Sequence, residues 1–180
     1  MNRCFILKLQ RTLNTCITNT QPMGSAEEQN KQLVRQYFEA YDQQDTERIG
    51  QLVSSSNYSL HLSGMPTMDW NGTKQFYGAA WSAFPDLHHE IFDIVAEGDK
   101  VAVRYNIIGT HKGELQGMAP TGKEVSFSAM DFITLVDGKI AEEWEIADTI
   151  GLMQQLGATP TPPSAARINQ KSHQEQIYNR

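Results

Sequence analysis

Leu33, Val34, Tyr37, Phe38 and Tyr41 recur at steps of one, three and four, which lines one side of an α-helix with apolar groups. The pattern predicts a helix over residues 25–42. Ser25 is a good helix cap, and Glu27 and Glu28 suit the positive end of the helix dipole. A shorter helical turn follows over residues 46–53, with Ile49, Leu52 and Val53 inward. Tyr58-Ser59-Leu60-His61-Leu62 alternates with period two, as a strand does, until Gly64 and Pro66 break it. Phe76, Tyr77, Ala80, Trp81 and Phe84 define a third helix over residues 72–84, stopped by Pro85.

The remainder is strand-rich. Residues 90–96 and 101–110 are two strands around the turn Glu97-Gly98-Asp99-Lys100. Gly109, Gly113, Gly117, Pro120 and Gly122 mark a loop or bulged region. Residues 125–136 and 139–148 are two further strands, joined by Asp137-Gly138, a strong two-residue hairpin signal. A last apolar segment, residues 150–156, closes at Gly157. Helices first and a meander of strands afterwards predict an α+β fold with the helices on one sheet face.

The hairpin register follows from its turn. With Asp137 and Gly138 as the two turn residues, Val136 pairs with Lys139, Ile133 with Glu142, Asp131 with Trp144 and Phe127 with Asp148. Side chains alternate faces, so one face is expected to hold Phe127, Ala129, Asp131, Ile133 and Leu135 with Ile140, Glu142, Trp144, Ile146 and Asp148. This face is mostly apolar and so should be covered, yet it carries three carboxylates. Burial and like charge both raise a carboxyl pKa, which makes a usable base near neutral pH. The structural alternative is that Asp148 caps the final segment and Glu142 pairs with Arg104.

Charge narrows the partners. The chain as a whole has net charge −6, but residues 27–157 hold 20 acidic against 9 basic side chains, a balance of −11. An acidic body disfavours nucleic acid and anionic membrane surfaces. No apolar run approaches the ~20 residues that span a bilayer. Residues 1–25 read as an unstructured leader, basic and free of acids. A flexible extension, or a start at Met23 instead of Met1, is the expected reading, with a transit peptide as the alternative. Residues 158–180 read as a disordered polar tail. Both cysteines, Cys4 and Cys16, lie in the leader, so the body offers no disulfide or thiol site. A cytoplasmic location fits.

The histidines form no metal motif. His61, His88, His89 and His111 lack HExxH spacing, and adjacent residues on a strand face opposite ways. Phosphate loops, dinucleotide fingerprints and Gly-x-Ser-x-Gly are also missing from the sequence. No metal and no cofactor is therefore expected.

The ordered set of turns is more specific than any one of them. It runs Phe84-Pro85-Asp86, Gly98-Asp99-Lys100-Val101, and Arg104 ahead of Gly109-Thr110-His111-x-Gly113. It continues with Pro120-Thr121-Gly122-Lys123, Asp137-Gly138-Lys139-Ile140 and Glu142-x-Trp144. It closes on Asp148-x-x-Gly151-Leu152-x-x-Gln155-Leu156-Gly157. Over residues 27–157 the chain thereby resembles the SnoaL-like polyketide cyclases, or predicted ester cyclases. The resemblance implies the nuclear-transport-factor-2-like fold, a cone of curved antiparallel sheet capped by N-terminal helices around a pocket, often as a dimer. It implies ring closure of a polyketide ester by intramolecular aldol condensation, with no metal or cofactor. It puts the acid/base on Asp148 and matches His61 to a histidine of the first strand.

The expected ligand is a small, largely apolar carbonyl compound. Asp148 would take the α-proton, and His61, Asn106, Arg104 or His111 would polarise oxygens. Trp144, Phe127, Ile146, Trp81 and Phe76 would form the wall, with Glu142 and Asp131 beside them. Two alternatives remain open. An epoxide hydrolase on this fold needs two aspartates and an arginine, types that Asp131, Asp148 and Arg104 supply. A non-catalytic binding or dimerisation domain needs neither. The opposite hairpin face, with Ser126, Ser128, Met130, Phe132 and Thr134, is too apolar for full exposure and is expected to make a homodimer.

Overall fold

The computed structural model describes residues 25–54 and 56–158. The leader and the polar tail expected from the sequence lie almost wholly outside them. Three helices come first: α1 (Ala26–Asp42), α2 (Thr46–Leu52) and, after the short strand β1 (Ser59–Leu62), α3 (Trp70–Ala83). Four strands follow: β2 (His88–Glu97), β3 (Lys100–Thr110), β4 (Glu124–Val136) and β5 (Lys139–Ala147). The helix α4 (Thr149–Leu156) comes last. The α+β order is thus the expected one.

Local chemistry sets the boundaries. Ser25 Oγ accepts from the Glu28 amide and opens α1. Asp69 accepts from the Gly72 amide at 2.8 Å, so α3 begins at Trp70, two residues before the expected start. Asp137 and Gly138 both have positive φ, 50° and 69°, the two-residue turn that matches strand twist.

The five strands form one sheet in the order β1-β5-β4-β3-β2. β2 to β5 are an antiparallel meander. β1 pairs parallel to β5, His61 opposite Trp144, which the strand pattern alone did not show. The helices pack Val34, Tyr37, Phe38, Tyr41, Ile49 and Tyr77 onto the inner sheet face, against Leu60, Val101, Val103, Tyr105, Ile133 and Ile140.

The expected hairpin register holds for only two pairs, Val136–Lys139 and Leu135–Ile140. A β-bulge then skips Ala141, so Thr134 faces Glu142, Phe132 faces Trp144 and Asp131 faces Glu145. Ile140 and Ala141 both point inward, 0% and 7% exposed. Ile140 is held there by the chain following α2: its carbonyl accepts from the Ser54 amide at 2.8 Å. Ala141 is small enough to tuck in beside it. Because side chains alternate with period two, one extra residue exchanges the two faces of everything beyond it. Glu143 and Glu145 turn inward, and Glu142, Trp144 and Ile146 turn outward. Phe127 pairs with Ile107 of β3 instead of facing Asp148, which lies beyond the end of β5.

Candidate active site

Three carboxylates meet on the inner face. One oxygen each from Asp131, Glu143 and Glu145 lies within 4.8 Å of the other two. Asp131 and Glu143 are buried, each 3% exposed, whereas Glu145 is half-buried. Tyrosines from every packed layer supply the hydrogen bonds. Tyr37 of α1 and Tyr58, just before β1, donate to the same oxygen, Glu143 Oε2, at 2.7 and 2.9 Å. Tyr77 of α3 is hydrogen-bonded to Tyr37, hydroxyl to hydroxyl. Tyr105 of β3 donates to Asp131 Oδ1 at 2.9 Å. Buried phenols need acceptors, and here those acceptors are acids.

Burial is the first cause of every pKa change in the cluster. It raises Asp131 strongly, and the neighbouring Glu143 and Glu145 charges add to it. Glu143 is also raised by burial, but the hydrogen bonds from Tyr37, Tyr58 and Asp131 pull it back. Glu145 is pushed up to about 8 by burial and then by the charge of Glu143. All four phenols, Tyr37, Tyr58, Tyr77 and Tyr105, are raised by burial and stay protonated. The spacing of the three acids would suit a cation, but Glu143 Oε2 is already filled by two phenol O–H groups. The cluster is a hydrogen-bonded one in which burial holds all three acids above their ordinary carboxyl values.

The expected site residues are divided between the two sides of the sheet. Asp131 and Phe127 point inward, and Trp81 and Phe76 of α3 pack against the core. Glu142, Trp144, Ile146 and His61 form the outer side, where His61 stacks on Trp144 with ring centres 4.0 Å apart. His61 Nε2 is 3.5 Å from Glu142, and Nδ1 is 3.0 Å from Thr67 Oγ1. Arg104 and Asn106 also project outward. Arg104 pairs at 2.6 Å with Asp93 and not with Glu142. Asp131, Asp148 and Arg104 are therefore not assembled into an epoxide-opening triad. His111 is fully buried, its Nδ1 accepting from the Thr121 amide at 3.2 Å. Asp148 is exposed and caps α4 through the Gly151 amide at 2.8 Å. A cleft of about 410 Å³ lies elsewhere, between α1 and β2, lined by Gln32, Arg35, Gln36 and His89 among others.

Glu143, Glu145, Tyr37, Tyr58, Tyr77 and Tyr105 were not singled out from the sequence as site residues. One signal was available. Tyrosines fell at core positions of two helices, and their hydroxyls required buried acceptors that only acids on the inner face could supply.

The family model for SnoaL-like polyketide cyclases matches residues 31–156. The chain belongs to that family. Among curated SnoaL-like relatives it is similar to aklanonic acid methyl ester cyclase DnrD of Streptomyces peucetius, 29% identical over 139 residues, 72% of this chain and 92% of the relative. A shorter match, 38% over 74 residues, links it to cyclase AcmA of Streptomyces galilaeus, covering 41% of this chain and 51% of the relative. Among solved structures it superposes on AclR of Streptomyces galilaeus, described as a candidate hydroxylase. The TM-score is 0.71 at 29% identity, covering 77% of this chain and 91% of the other. It also superposes on IdmH of Streptomyces antibioticus, a candidate polyketide cyclase. Here the TM-score is 0.65 at 29% identity, covering 72% and 99%. The SnoaL-like, cone-shaped α+β fold is thus shared across these proteins. No helix among the described residues is long and apolar enough to cross a membrane.

Proposed function

We propose that this SnoaL-like protein closes a ring in a small carbonyl-bearing ester by intramolecular aldol condensation, with Glu145 as the acid/base. The observation that carries the reading is the placement of Glu145. Of the three inner acids it is the one residue that is only half-buried, and it stands beside two that are already engaged. With a pKa of about 8, it exchanges protons readily near neutral pH, as a general base and then a general acid must.

The steps balance without any added reagent. The Glu145 carboxylate removes a proton α to one carbonyl. The resulting carbanion attacks a second carbonyl of the same molecule and forms the carbon–carbon bond. The new alkoxide takes the proton back from Glu145. Tyr41, whose buried phenol senses the charges of Glu145 and Glu143, offers an O–H to the developing alkoxide. The substrate named for the curated relatives, aklanonic acid methyl ester, is the first to test, followed by simpler keto esters.

Glu145→Gln should remain folded and lose at least ~100-fold in turnover, the usual minimum for general acid–base catalysis. Asp148→Asn should keep its activity, since both residues cap helices well. The opposite outcome, a full-rate Glu145→Gln and a crippled Asp148→Asn, would pass the acid/base role to the capping aspartate. A wild-type protein that retains such an ester without turning it over would be a binding domain.

We also propose a homodimer through the outer face of the hairpin. The bulge makes that face more apolar than the sequence suggested. Met130, Phe132, Trp144 and Ile146 are 57%, 50%, 51% and 70% exposed there, a patch of the kind that marks interfaces. Phe132→Glu should convert the species seen by light scattering from dimer to monomer. A wild-type monomer at tens of micromolar would refute the assembly (roughly the range in which weak interfaces still form).

A further inference from the structure

Two phenols and one neighbouring acid meet Glu143, and a third phenol stands behind one of them. Tyr37 has a single proton and donates it to Glu143 Oε2. The contact between the Tyr37 and Tyr77 oxygens can therefore be filled only by the Tyr77 proton. Tyr58 donates its own proton to the same carboxylate oxygen. Asp131, which already accepts from Tyr105, is hydrogen-bonded to Glu143 as well. Tyr37 and Tyr58 thus aim their protons at Glu143, Tyr105 aims its own at the acid beside it, and Tyr77 backs Tyr37.

Such an arrangement favours the ionised form of its acceptor, because hydrogen bonds to a charged carboxylate are about twice as strong as neutral ones. We propose that Glu143 is the fixed negative charge of the site, that Tyr37, Tyr58 and Tyr77 are the positioning residues that keep it charged, and that Glu145 is thereby left as the group that exchanges the proton. The proposal rests on the reading of Glu145 as acid/base and adds what sets it.

The chemistry supports this division. A proton on Glu143 would have to compete with the two phenols bound to it. Asp131 can hold a proton and donate it to Glu143 at once. Among the described residues none gives Glu145 a hydrogen bond that offsets burial and the Glu143 charge. The titratable groups that surround Glu145 are Tyr41 from α1, Tyr105 from β3, Asp131 from β4 and Glu143 from its own strand. None of the four carries positive charge, so none holds Glu145 ionised. Loss of a donor from Glu143 raises its own pKa. A neutral Glu143 no longer opposes ionisation of Glu145, whose midpoint then falls.

The test needs no ligand. Glutamate carrying ¹³C at the carboxyl carbon is incorporated into the full chain, and each signal is followed against pH. Glu143→Gln and Glu145→Gln assign the two resonances by their loss. In the wild type the Glu145 signal should titrate at about 8, with Glu143 titrating lower. Glu143→Gln should lower the Glu145 midpoint by about one pH unit or more. Tyr58→Phe, which keeps the ring and its packing, should move it the same way by less.

A Glu145 midpoint that stays put or rises in both variants would overturn the proposal. So would a wild-type titration near 8 that belongs to Glu143. If Glu143→Gln fails to fold, Tyr58→Phe alone decides, because a purely structural tyrosine would leave the midpoint where it is. These outcomes are independent of turnover. Loss of the cyclase reading through a fully active Glu145→Gln would leave the titration result intact, and the reverse holds too.

Discussion

The two faces of the β4–β5 hairpin reverse the usual distribution of side chains. The inner face holds Asp131, Glu143 and Glu145 among tyrosines, and the outer face exposes Met130, Phe132, Trp144 and Ile146. Hydrophobicity alone would place the tryptophan inside and the acids outside. The acids are tolerated inside because each buried one has partners: phenols on Glu143 and Asp131, and a shared hydrogen bond between them. A buried carboxylate without such partners would cost several kcal/mol or simply take up a proton. Glu145 follows the second course, and so its pKa is raised. Hydrogen-bond donors on the inner side are what make this distribution stable there.

The contrast between the faces depends on the register set at the bulge, and shifting it by one residue should have the largest effect. Insertion of one alanine between Ala141 and Glu142 would put the new residue opposite Thr134 and move the rest of β5 one position along β4. Glu142 and Trp144 would then point inward, and Glu143 and Glu145 outward, away from their tyrosines. We expect no folded protein, measured as loss of the cooperative thermal transition and of soluble expression. A cooperatively folding insertion variant would show that the hairpin can adopt either register, and that the partners do not decide between the faces.

The next test concerns stability on the inner face. The folded-state pKa of Glu145 lies above its unfolded value of 4.5. The native state therefore binds this proton more tightly than the unfolded chain does. The stabilising contribution is fully present below pH 4.5 and is lost progressively as pH rises towards about 8. Glu145→Gln, which cannot ionise, should melt above the wild type at pH 8, and the gap should shrink towards pH 5. A gap independent of pH would mean that Glu145 titrates normally and that the inner face is not the low-dielectric site described. Gained stability together with lost turnover is the usual signature of a functional residue.

The smallest effect is expected where the hairpin ends. Asp148 belongs to neither face, and its carboxylate binds the Gly151 amide. Asp148→Ala should cost about 1 kcal/mol by denaturant unfolding, the ordinary value of a helix cap, and Asp148→Asn close to nothing. A loss several times larger in the alanine variant would give this aspartate a part in the cluster that its exposed position does not suggest.

Much of this molecule was legible from local patterns. The α1 stripe, the Ser25 cap, the Asp137-Gly138 turn and the inward set of β4 each depend on a few neighbouring residues, and each appears as expected. The turn motifs were enough to point to the SnoaL-like family. The candidate site was legible only in part. Asp131 was on the right face, and Tyr37 and Tyr77 were in the core stripes of their helices, though without a role. Glu142 and Trp144 were placed with Asp131, and Glu143 and Glu145 were left outside, because the register was counted from the turn without a bulge.

Periodicity and turn chemistry are short-range, so the sequence by itself determined the elements, their order and the family. The bulge at Ala141, the parallel seat of β1 on β5 and the resulting choice of face were decided only by the tertiary structure. Glu142-Glu143-Trp144-Glu145 alternates equally well in either register, with acids available to both faces. The choice depends on groups distant in sequence: the Ser54 amide that fixes Ile140, and the hydroxyls of Tyr37 and Tyr58 that reach across to Glu143, 106 and 85 residues away. Buried hydrogen-bond acceptors are worth more than the exposure of one tryptophan costs, and only the folded chain brings donor and acceptor together.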